Sequence, residues 1–240
     1  MKSQYLLNTN HIKLGFIIKL VAIVSCVYGL IVGIEEPQDM TYFTNLSNIL
    51  IGIILTVSFI FDAIILKTNG EKNPKGNIFF VIKFILTLCI SITWLIYMCI
   101  LAPTSDAGFF KSYMGHHYGS LCLHMITPVL ALLDFILFDY NYKSTGIHSV
   151  YAVIPPLGYV GLIIILASTG MRWSHGMSAP YNFLNFGAEV GWFGFDLSTM
   201  SSSSLGIGVA YMIIVLVLIF IAIGRLFLLF KDLRYKKVSK

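Results

Sequence analysis

The sequence predicts an all-α polytopic membrane protein with six transmembrane helices and both termini in the cytoplasm. Of its 240 residues, 57% are hydrophobic and only 11% are charged, and the mean hydropathy is +0.83. Soluble domains carry about a quarter charged residues, and disordered chains combine low hydrophobicity with high charge. Both classes are therefore excluded, and a single six-helix domain over residues 1–240 is expected.

The six predicted spans follow from the length of the apolar stretches. Crossing roughly 30 Å of hydrocarbon takes about 20 mainly apolar residues. Such stretches occur at 14–34, 43–66, 78–101, 118–138, 149–169 and 204–230. The first is longer than the apolar region of a usual secretory signal, and no small-residue cleavage site follows Gly33, so it is interpreted as a helix. Segment 170–203 is an outer loop rich in aromatic residues, predicted to form either a re-entrant segment or lid, or an interfacial aromatic belt.

The positions of lysine and arginine set the predicted orientation, because cytoplasmic loops are enriched in these residues. They are concentrated in the N-terminal arm, the second loop and the C-terminal tail: Lys2, Lys13, Lys67, Lys72, Lys75, Lys231, Arg234, Lys236, Lys237 and Lys240. These residues lie at helix ends and form no basic stripe, so the net charge of +5 predicts no nucleic-acid partner. The four cysteines lie in apolar stretches, where no disulfide framework is expected.

Five charged residues inside the predicted spans lie at one depth: Lys19, Asp62, Lys83, Asp134 and Arg225. Each is about five to seven residues from the cytoplasmic end of its helix, which gives a layer roughly 8–10 Å deep. Charge in hydrocarbon is costly, so a structural layer of ion pairs in the bundle interior is predicted. The alternatives are snorkelling of Lys19 and Arg225 and a proton or ion pathway.

Polar side chains also occupy one face at the outer ends of two helices. They are Thr41, Thr44, Ser47 and Asn48 on the second helix, and His117, Ser120, His124, Thr127 and Asp134 on the fourth. Steps of three and four residues place side chains on one helical face. Thr44 and His124 therefore approach from the same side of the membrane, and a neutral imidazole is the usual base for a hydroxyl nucleophile. The alternative is hydrogen bonding between helices with no catalytic role.

The histidines raise the alternative of a metal site, formed by His116, His117 and His124 with His175 or Asp106. Zinc takes three or four ligands, and only His117 and His124 share a face. The chain has no HExxH motif, no paired CxxC, no GxSxG elbow and no nucleotide-binding loop. The sequence therefore predicts no metal and no cofactor.

Three segments resemble a known family. They are TYFTNLSN at 41–48, HMITP at 124–128 followed by LLDF at 132–135, and APYNFL at 179–184. With these motifs and the order of its helices, the chain resembles a bacterial-type member of the androgen-induced and androgen-dependent integral membrane hydrolases. The resemblance in helix order and spacing covers the whole chain, whereas similarity by residue is confined to these segments.

The resemblance implies six helices and the cleavage of fatty acid esters of hydroxy fatty acids by a threonine and a histidine within the membrane. Thr44 matches the family's threonine, and His124 matches its histidine, ten residues before the acidic Asp134. Two departures occur: the proline follows His124 by four residues instead of five, and the loop motif reads PYNFL in place of Tyr-Pro-Phe-Leu.

The predicted function is hydrolysis of a lipid ester in a cavity open to the outer leaflet of a bacterial plasma membrane, with membrane lipids as partners. Thr44 is the predicted nucleophile and His124 the predicted general base. The residues predicted to bind the substrate are Asn45, Asn48, Ser120, Thr127 and Tyr181. Among these, Asn45 and Asn48 are candidate oxyanion donors, with backbone amides as an equal alternative. A non-catalytic protein that binds a lipid or small ligand, and a small transporter, remain open.

Overall fold

Six helices in the computed structural model are long and apolar enough to cross a membrane, which confirms the predicted all-α fold class. The chain is an integral membrane protein. The structure describes residues 9–69, 74–103, 108–115, 117–139, 142 and 144–238, and within these ranges β-structure is limited to two isolated bridges. Residues used in the predictions that lie outside the described ranges are Lys2, Lys72, Asp106, His116 and Lys240.

The helices alternate with short connections. Helix α1 spans Thr9–Gly33, α2 spans Phe43–Lys67, and α3 spans Asn77–Ile96 and continues as a π-helical turn, Tyr97–Leu101. Helix α4 spans Gly119–Phe138 and contains a second π-helical turn, Cys122–Ile126; α5 spans His148–Ser168, and α6 spans Val209–Val238. The predicted bounds of α2 to α5 agree with these to within one residue, because their ends coincide with the ends of the apolar stretches. Helix α1 ends within one residue of the prediction but begins at Thr9, before the predicted start at residue 14.

Helix α6 differs from the prediction at both ends, since it begins at Val209 and ends at Val238. Its start is delayed because the preceding segment doubles back through antiparallel bridges between Phe195 and Ile207 and between Ser201 and Ser204. A Cβ added at Gly208 would lie 2.6 Å from the Trp192 carbonyl oxygen, so the backbones pack tightly there. The end is later because lysine, arginine and leucine favour helix beyond the apolar stretch.

The first four helices pack closely, with α1 against α2 and α4, and α3 against the same two helices. Helix α6 packs against α3, α4 and the first turn of α5 through a core that includes Phe84, Phe135 and Phe220. The rest of α5, Ile154–Ser168, contacts the bundle mainly through side chains such as Tyr159, which pack with the outer loop. Clefts therefore remain beside α5.

Two π-helical turns face each other across the α3 and α4 interface. The ring of Tyr97, at the start of the turn in α3, stacks on the ring of His124, in the centre of the turn in α4, with centroids 3.8 Å apart. A π turn inserts one extra residue into a helix and is frequently found at functional sites. The insertion rotates His124 relative to Thr127, so the polar stripe expected from steps of three and four residues is interrupted.

Four of the five residues predicted as a charge layer form one buried ion-pair cluster. The Lys19 ammonium lies 2.9 Å from Asp62 and 2.5 Å from Asp134, and the Lys83 ammonium lies 2.5 Å from Asp134. Lys83 also pairs with Asp139, and Lys75 lies 2.5 Å from Asp62. In order of contact, the cluster is Lys75, Asp62, Lys19, Asp134, Lys83 and Asp139. Its charges alternate and sum to zero, which offsets the cost of burying them.

Arg225 lies outside this cluster, in contrast to the prediction. Its Nε donates to the Ser149 hydroxyl at 2.9 Å, and a Cβ added at Gly146 would lie 2.6 Å from its guanidinium. Arg225 is thus held against the start of α5 by a hydroxyl and a close backbone approach. Depth alone could not predict that Arg225 lies apart from the cluster. Two side chains at the same depth meet only if their helices turn them towards each other.

Gly29 allows α1 to approach the π-helical turn that carries His124, and we expect Gly29→Val to destabilise the bundle by about 1–3 kcal/mol. A Cβ at Gly29 would lie 2.8 Å from Leu123 Cγ, so the turn would have to move. The measurement is the thermal unfolding midpoint in detergent, followed by circular dichroism. Gly161→Val is the matched control because an added Cβ there meets no atom within 4 Å; equal midpoints for the two variants would contradict the expectation.

Candidate functional site: the Thr44 cleft

Thr44 lies in the first turn of α2, on the wall of an apolar cleft bounded by α2, α3, α5, α6 and the outer loop. The cavity itself has a volume of about 60 Å³, and the empty space rises to about 570 Å³ when the open mouth is included. Residues that line it include Thr44, Thr93, Ile96, Tyr159, Tyr181 and Phe220. We name this the Thr44 cleft. Its chemistry suits an apolar ligand with one polar group, as in most small-molecule sites.

The polar groups of the Thr44 cleft gather at the N-terminus of α2. The Tyr181 hydroxyl contacts the Thr44 side chain and the backbone amides of Thr44 and Phe43. The first N–H groups of a helix have no partner within the helix, so these amides can donate to the Tyr181 oxygen. Burial raises the pKa of Tyr181 to about 12, and the phenol is therefore neutral and able to donate at physiological pH.

The first half of the outer loop covers the head of α2. Trp173 donates from its indole nitrogen to the Thr41 hydroxyl at 2.9 Å, and Gln38 donates to the Arg172 carbonyl at 2.7 Å. The rings of Tyr42 and Tyr181 meet edge to face at 5.7 Å. This half of the loop packs on the bundle as a cover, whereas the later Phe193 is 73% exposed. The predicted roles of the loop, as a re-entrant segment or lid or as an interfacial aromatic belt, stay predictions.

His124 does not line the Thr44 cleft and forms no hydrogen bond with Thr44. Its Nδ1 is buried and has no hydrogen-bond partner within the part of the chain that the structure describes. Its neighbour Leu123 accepts a hydrogen bond from Asn48, which is one helical turn beyond Thr44. The predicted pair therefore lies on adjoining helices, and His124 belongs to a π-helical turn outside the lining of the cleft.

The two asparagines predicted as oxyanion donors have their amide hydrogens engaged elsewhere. Asn48 donates to the Thr44 carbonyl at 2.9 Å and to the Leu123 carbonyl at 3.2 Å, and Asn45 donates to the Asp39 carbonyl at 2.8 Å. Neither residue lines the cleft. Asn45 thus binds the segment that precedes α2, and Asn48 ties α2 to α4.

Ser120 and Thr127 also lie away from the Thr44 cleft, in contrast to the prediction. Thr127 is fully buried and donates to the Ser25 hydroxyl on α1 at 3.1 Å. Ser120 lies in the first turn of α4, beside Gly115. Among the residues predicted to bind substrate, Tyr181 is the one that the structure places with Thr44.

Sequence reasoning missed Tyr159, Thr93 and Tyr97. Tyr159 and Thr93 line the Thr44 cleft, and Tyr97 holds the ring of His124. Each lies within a long apolar stretch with no polar periodicity, so the amino-acid pattern contains no signal that distinguishes them from lipid-facing residues.

No metal site accompanies the cleft: across the described ranges, no group of three or more His, Cys, Asp or Glu side chains could hold an ion. His117 lies in a left-handed turn with φ +49° before α4, off the helical face that carries His124. The class that the fold defines is a six-span α-helical integral membrane protein with an intramembrane cleft. Comparisons with family models, with curated proteins and with solved structures give no match.

Proposed function

We propose that this protein is an intramembrane hydrolase of lipid esters in which Thr44 is the nucleophile and His124 the general base. The observation that carries the proposal is the position of Thr44, on the wall of an apolar cleft, beside the Tyr181 phenol and the backbone amides of a helix N-terminus that contact this phenol. The hydroxyl can attack an ester carbonyl, the hydrogen-bond donors can stabilise the carbonyl oxygen, and the apolar walls can hold the acyl chain.

In the proposed reaction, Thr44 Oγ1 attacks the ester carbonyl carbon and its proton passes to His124. The negative charge on the carbonyl oxygen is stabilised by the amides of Phe43 and Thr44 and by the Tyr181 phenol. The bond to the alkoxy oxygen breaks, and the leaving alcohol takes the proton from His124. Water then hydrolyses the acyl-threonine, which restores the Thr44 hydroxyl and releases the fatty acid.

The histidine reaches Thr44 in this proposal only after a local rearrangement. Catalytic hydrogen bonds are often long in an enzyme without substrate and tighten when substrate binds. The His124 ring is held by stacking on Tyr97, and its buried Nδ1 has no partner that would fix the ring. A shift of the π-helical turn would move the imidazole towards α2, and the hydrogen bond from Asn48 to Leu123 already links the two segments.

The test is covalent labelling of the detergent-purified protein with a fluorophosphonate probe, which reports an activated nucleophile without knowledge of the substrate. We expect labelling of the wild type, loss of labelling in Thr44→Ala and His124→Ala, and labelling retained in Thr56→Ala. Thr56 is the matched control, since it lies on α2, is exposed and donates to the Gly52 carbonyl. A folded wild type that takes no label, or Thr44→Ala that still does, would overturn the proposal.

A second candidate function is non-catalytic binding of a lipid or small ligand in the same cleft. It is favoured by the absence of a hydrogen bond between Thr44 and His124 within the described residues. This candidate predicts saturable binding of a fluorescent fatty acid with no labelling by the fluorophosphonate. The transporter alternative has less support, because the ion-pair cluster is buried and neutral and connects with no polar lining of the Thr44 cleft.

The proposed location is a bacterial plasma membrane with both termini in the cytoplasm. The basic residues of the second loop and the tail support this orientation, and the abundance of isoleucine, lysine and asparagine is typical of an AT-rich bacterial genome. The Thr44 cleft would then open at the outer leaflet. Accessibility to a membrane-impermeant maleimide would test the orientation, with single cysteines introduced at Gly76 and at the exposed Phe193 after replacement of the four native cysteines.

A further inference from the structure

A second cleft lies against the Thr44 cleft and opens on the lipid-facing surface. It runs between α2, α3 and α5, and its walls include Leu46, Leu50, Leu86, Pro155, Gly158 and Leu162. We name it the lateral groove. Leu50 is 44% exposed and Leu162 is 38% exposed, so the groove is continuous with the surface that these helices present to the bilayer. Ser47 is its one hydroxyl-bearing wall residue apart from Tyr159.

The two clefts share the side chains of Phe43 and Tyr159, whose ring centroids are 5.1 Å apart. The Tyr159 side chain is only 6% exposed. Its hydroxyl lies near the Phe43 backbone but forms no hydrogen bond within the described residues. A buried hydroxyl without a partner costs free energy. An ester carbonyl at the junction of the clefts would accept the hydrogen bond that this phenol lacks.

We propose that the lateral groove admits the acyl chain of a lipid ester directly from the bilayer and that Tyr159 donates a hydrogen bond to its ester carbonyl. The proposal rests on the proposed function for the reaction at Thr44. In this arrangement Tyr159 positions the ester at the junction of the two clefts. The carbonyl carbon is directed to Thr44, and the acyl chain lies in the lateral groove. The substrate class is thereby an ester of a long, flexible acyl chain rather than a compact one.

The direction of the groove fits a chain that hangs from the membrane interface. From Phe43 to Leu50, α2 descends about 10 Å, at 1.5 Å per residue, from its head towards the middle of the membrane. The apolar walls of the lateral groove surround the acyl chain in place of neighbouring lipid tails. The head of α2 provides the polar hydrogen-bond donors. A lipid ester in the bilayer is arranged in the same way, with its polar carbonyl at the membrane interface and its apolar acyl chain towards the middle of the membrane.

Two glycines of α5 allow a matched test. Gly158 borders the lateral groove and Gly161 borders neither cleft, and an added Cβ at either position meets no atom within 4 Å. In nanodiscs, we would measure hydrolysis of p-nitrophenyl palmitate and p-nitrophenyl acetate. For Gly158→Trp we expect the palmitate-to-acetate ratio of kcat/KM to fall at least about tenfold, since loss of two buried methylenes suffices for that change. Gly161→Trp should keep the wild-type ratio.

Photo-crosslinking with a diazirine-bearing palmitoyl ester separates failure of this proposal from failure of the proposed function. Adducts on peptides containing Leu46, Leu50 or Leu86 that disappear in Gly158→Trp and persist in Gly161→Trp support the groove, even for a protein without esterase activity. An active enzyme whose ratio and adducts are equal in both variants overturns the proposal.

Tyr159→Phe tests the hydrogen bond to the carbonyl. We expect it to lower kcat/KM for both esters at least about tenfold while the palmitoyl adducts persist, because the carbonyl loses a donor and the groove is unchanged. A Tyr159→Phe enzyme with wild-type kinetics would overturn this part of the proposal.

Discussion

Replacing Lys83 with methionine is expected to lower the free energy of unfolding by about 3–5 kcal/mol, the cost of breaking a buried ion pair. The Lys83 ammonium is fully buried and pairs with Asp134 and Asp139, which are themselves almost completely buried. Without it, the ion-pair cluster carries a net negative charge in a region where water cannot compensate. The measurement is reversible unfolding in mixed micelles, with the folded fraction followed by circular dichroism.

A double variant and a single control test whether the ion-pair cluster causes the loss of stability. Lys83→Met with Asp139→Leu removes one charge of each sign and leaves Lys75, Asp62, Lys19 and Asp134 as a neutral set, so it should recover most of the lost stability. Arg225→Met, which removes a charge bound to the Ser149 hydroxyl rather than to a carboxylate, should cost about 1–3 kcal/mol. If Arg225→Met cost as much as Lys83→Met, the cluster would not be the source of the effect.

Under the proposed function, Thr44→Val is expected to lower turnover of a lipid ester at least about 10³-fold, because it removes the proposed nucleophile and preserves the shape of the side chain. The remaining donors at the head of α2 cannot form an acyl intermediate. Since Thr44 is half-buried in the first turn of α2, replacement of its hydroxyl by a methyl group of similar size should leave the fold intact. The measurement is kcat/KM for an ester of a long-chain fatty acid, with the unfolding midpoint recorded for each variant.

Thr44→Ser provides the rescue, since it retains the hydroxyl and loses only a methyl group. It should keep turnover within about tenfold of the wild type. Thr56→Val, on the lipid-facing side of the same helix, should change nothing. Equal loss in Thr44→Ser and Thr44→Val would indicate that the methyl group matters for packing rather than the hydroxyl for chemistry.

The helices could be predicted from the sequence because their limits coincide with changes in hydropathy, as at Phe43 and Phe138. Pairing of Lys19, Asp62, Lys83 and Asp134 also follows from depth, because buried charges must find partners within reach. Arg225 satisfies the same depth rule and yet bonds to Ser149. Depth gives the level of a side chain but leaves open the direction in which its helix presents it.

The candidate site could be predicted only in part, because the sequence marks helix starts and motifs but not the direction in which side chains point. Thr44 lies at a helix start that the sequence marks clearly, and Tyr181 belongs to a motif in the outer loop. The position of His124 depends on a π-helical turn, and the insertion of one residue into the hydrogen-bond pattern leaves no mark on hydrophobic periodicity. Tyr159 is one aromatic residue among many apolar neighbours. Its importance arises from the gap beside α5, which is a property of the tertiary structure.

The alternating ion-pair cluster also constrains how the chain is inserted into the membrane during synthesis. A lysine or aspartate without a partner inside a span is unfavourable on insertion scales, most strongly at the centre of the helix. The hairpin of α1 and α2 already brings Lys19 and Asp62 together, whereas α3 brings Lys83, whose acidic partners belong to α4 and its C-terminal end. We therefore expect the third span to be inserted stably only once the fourth lies beside it and supplies these carboxylates.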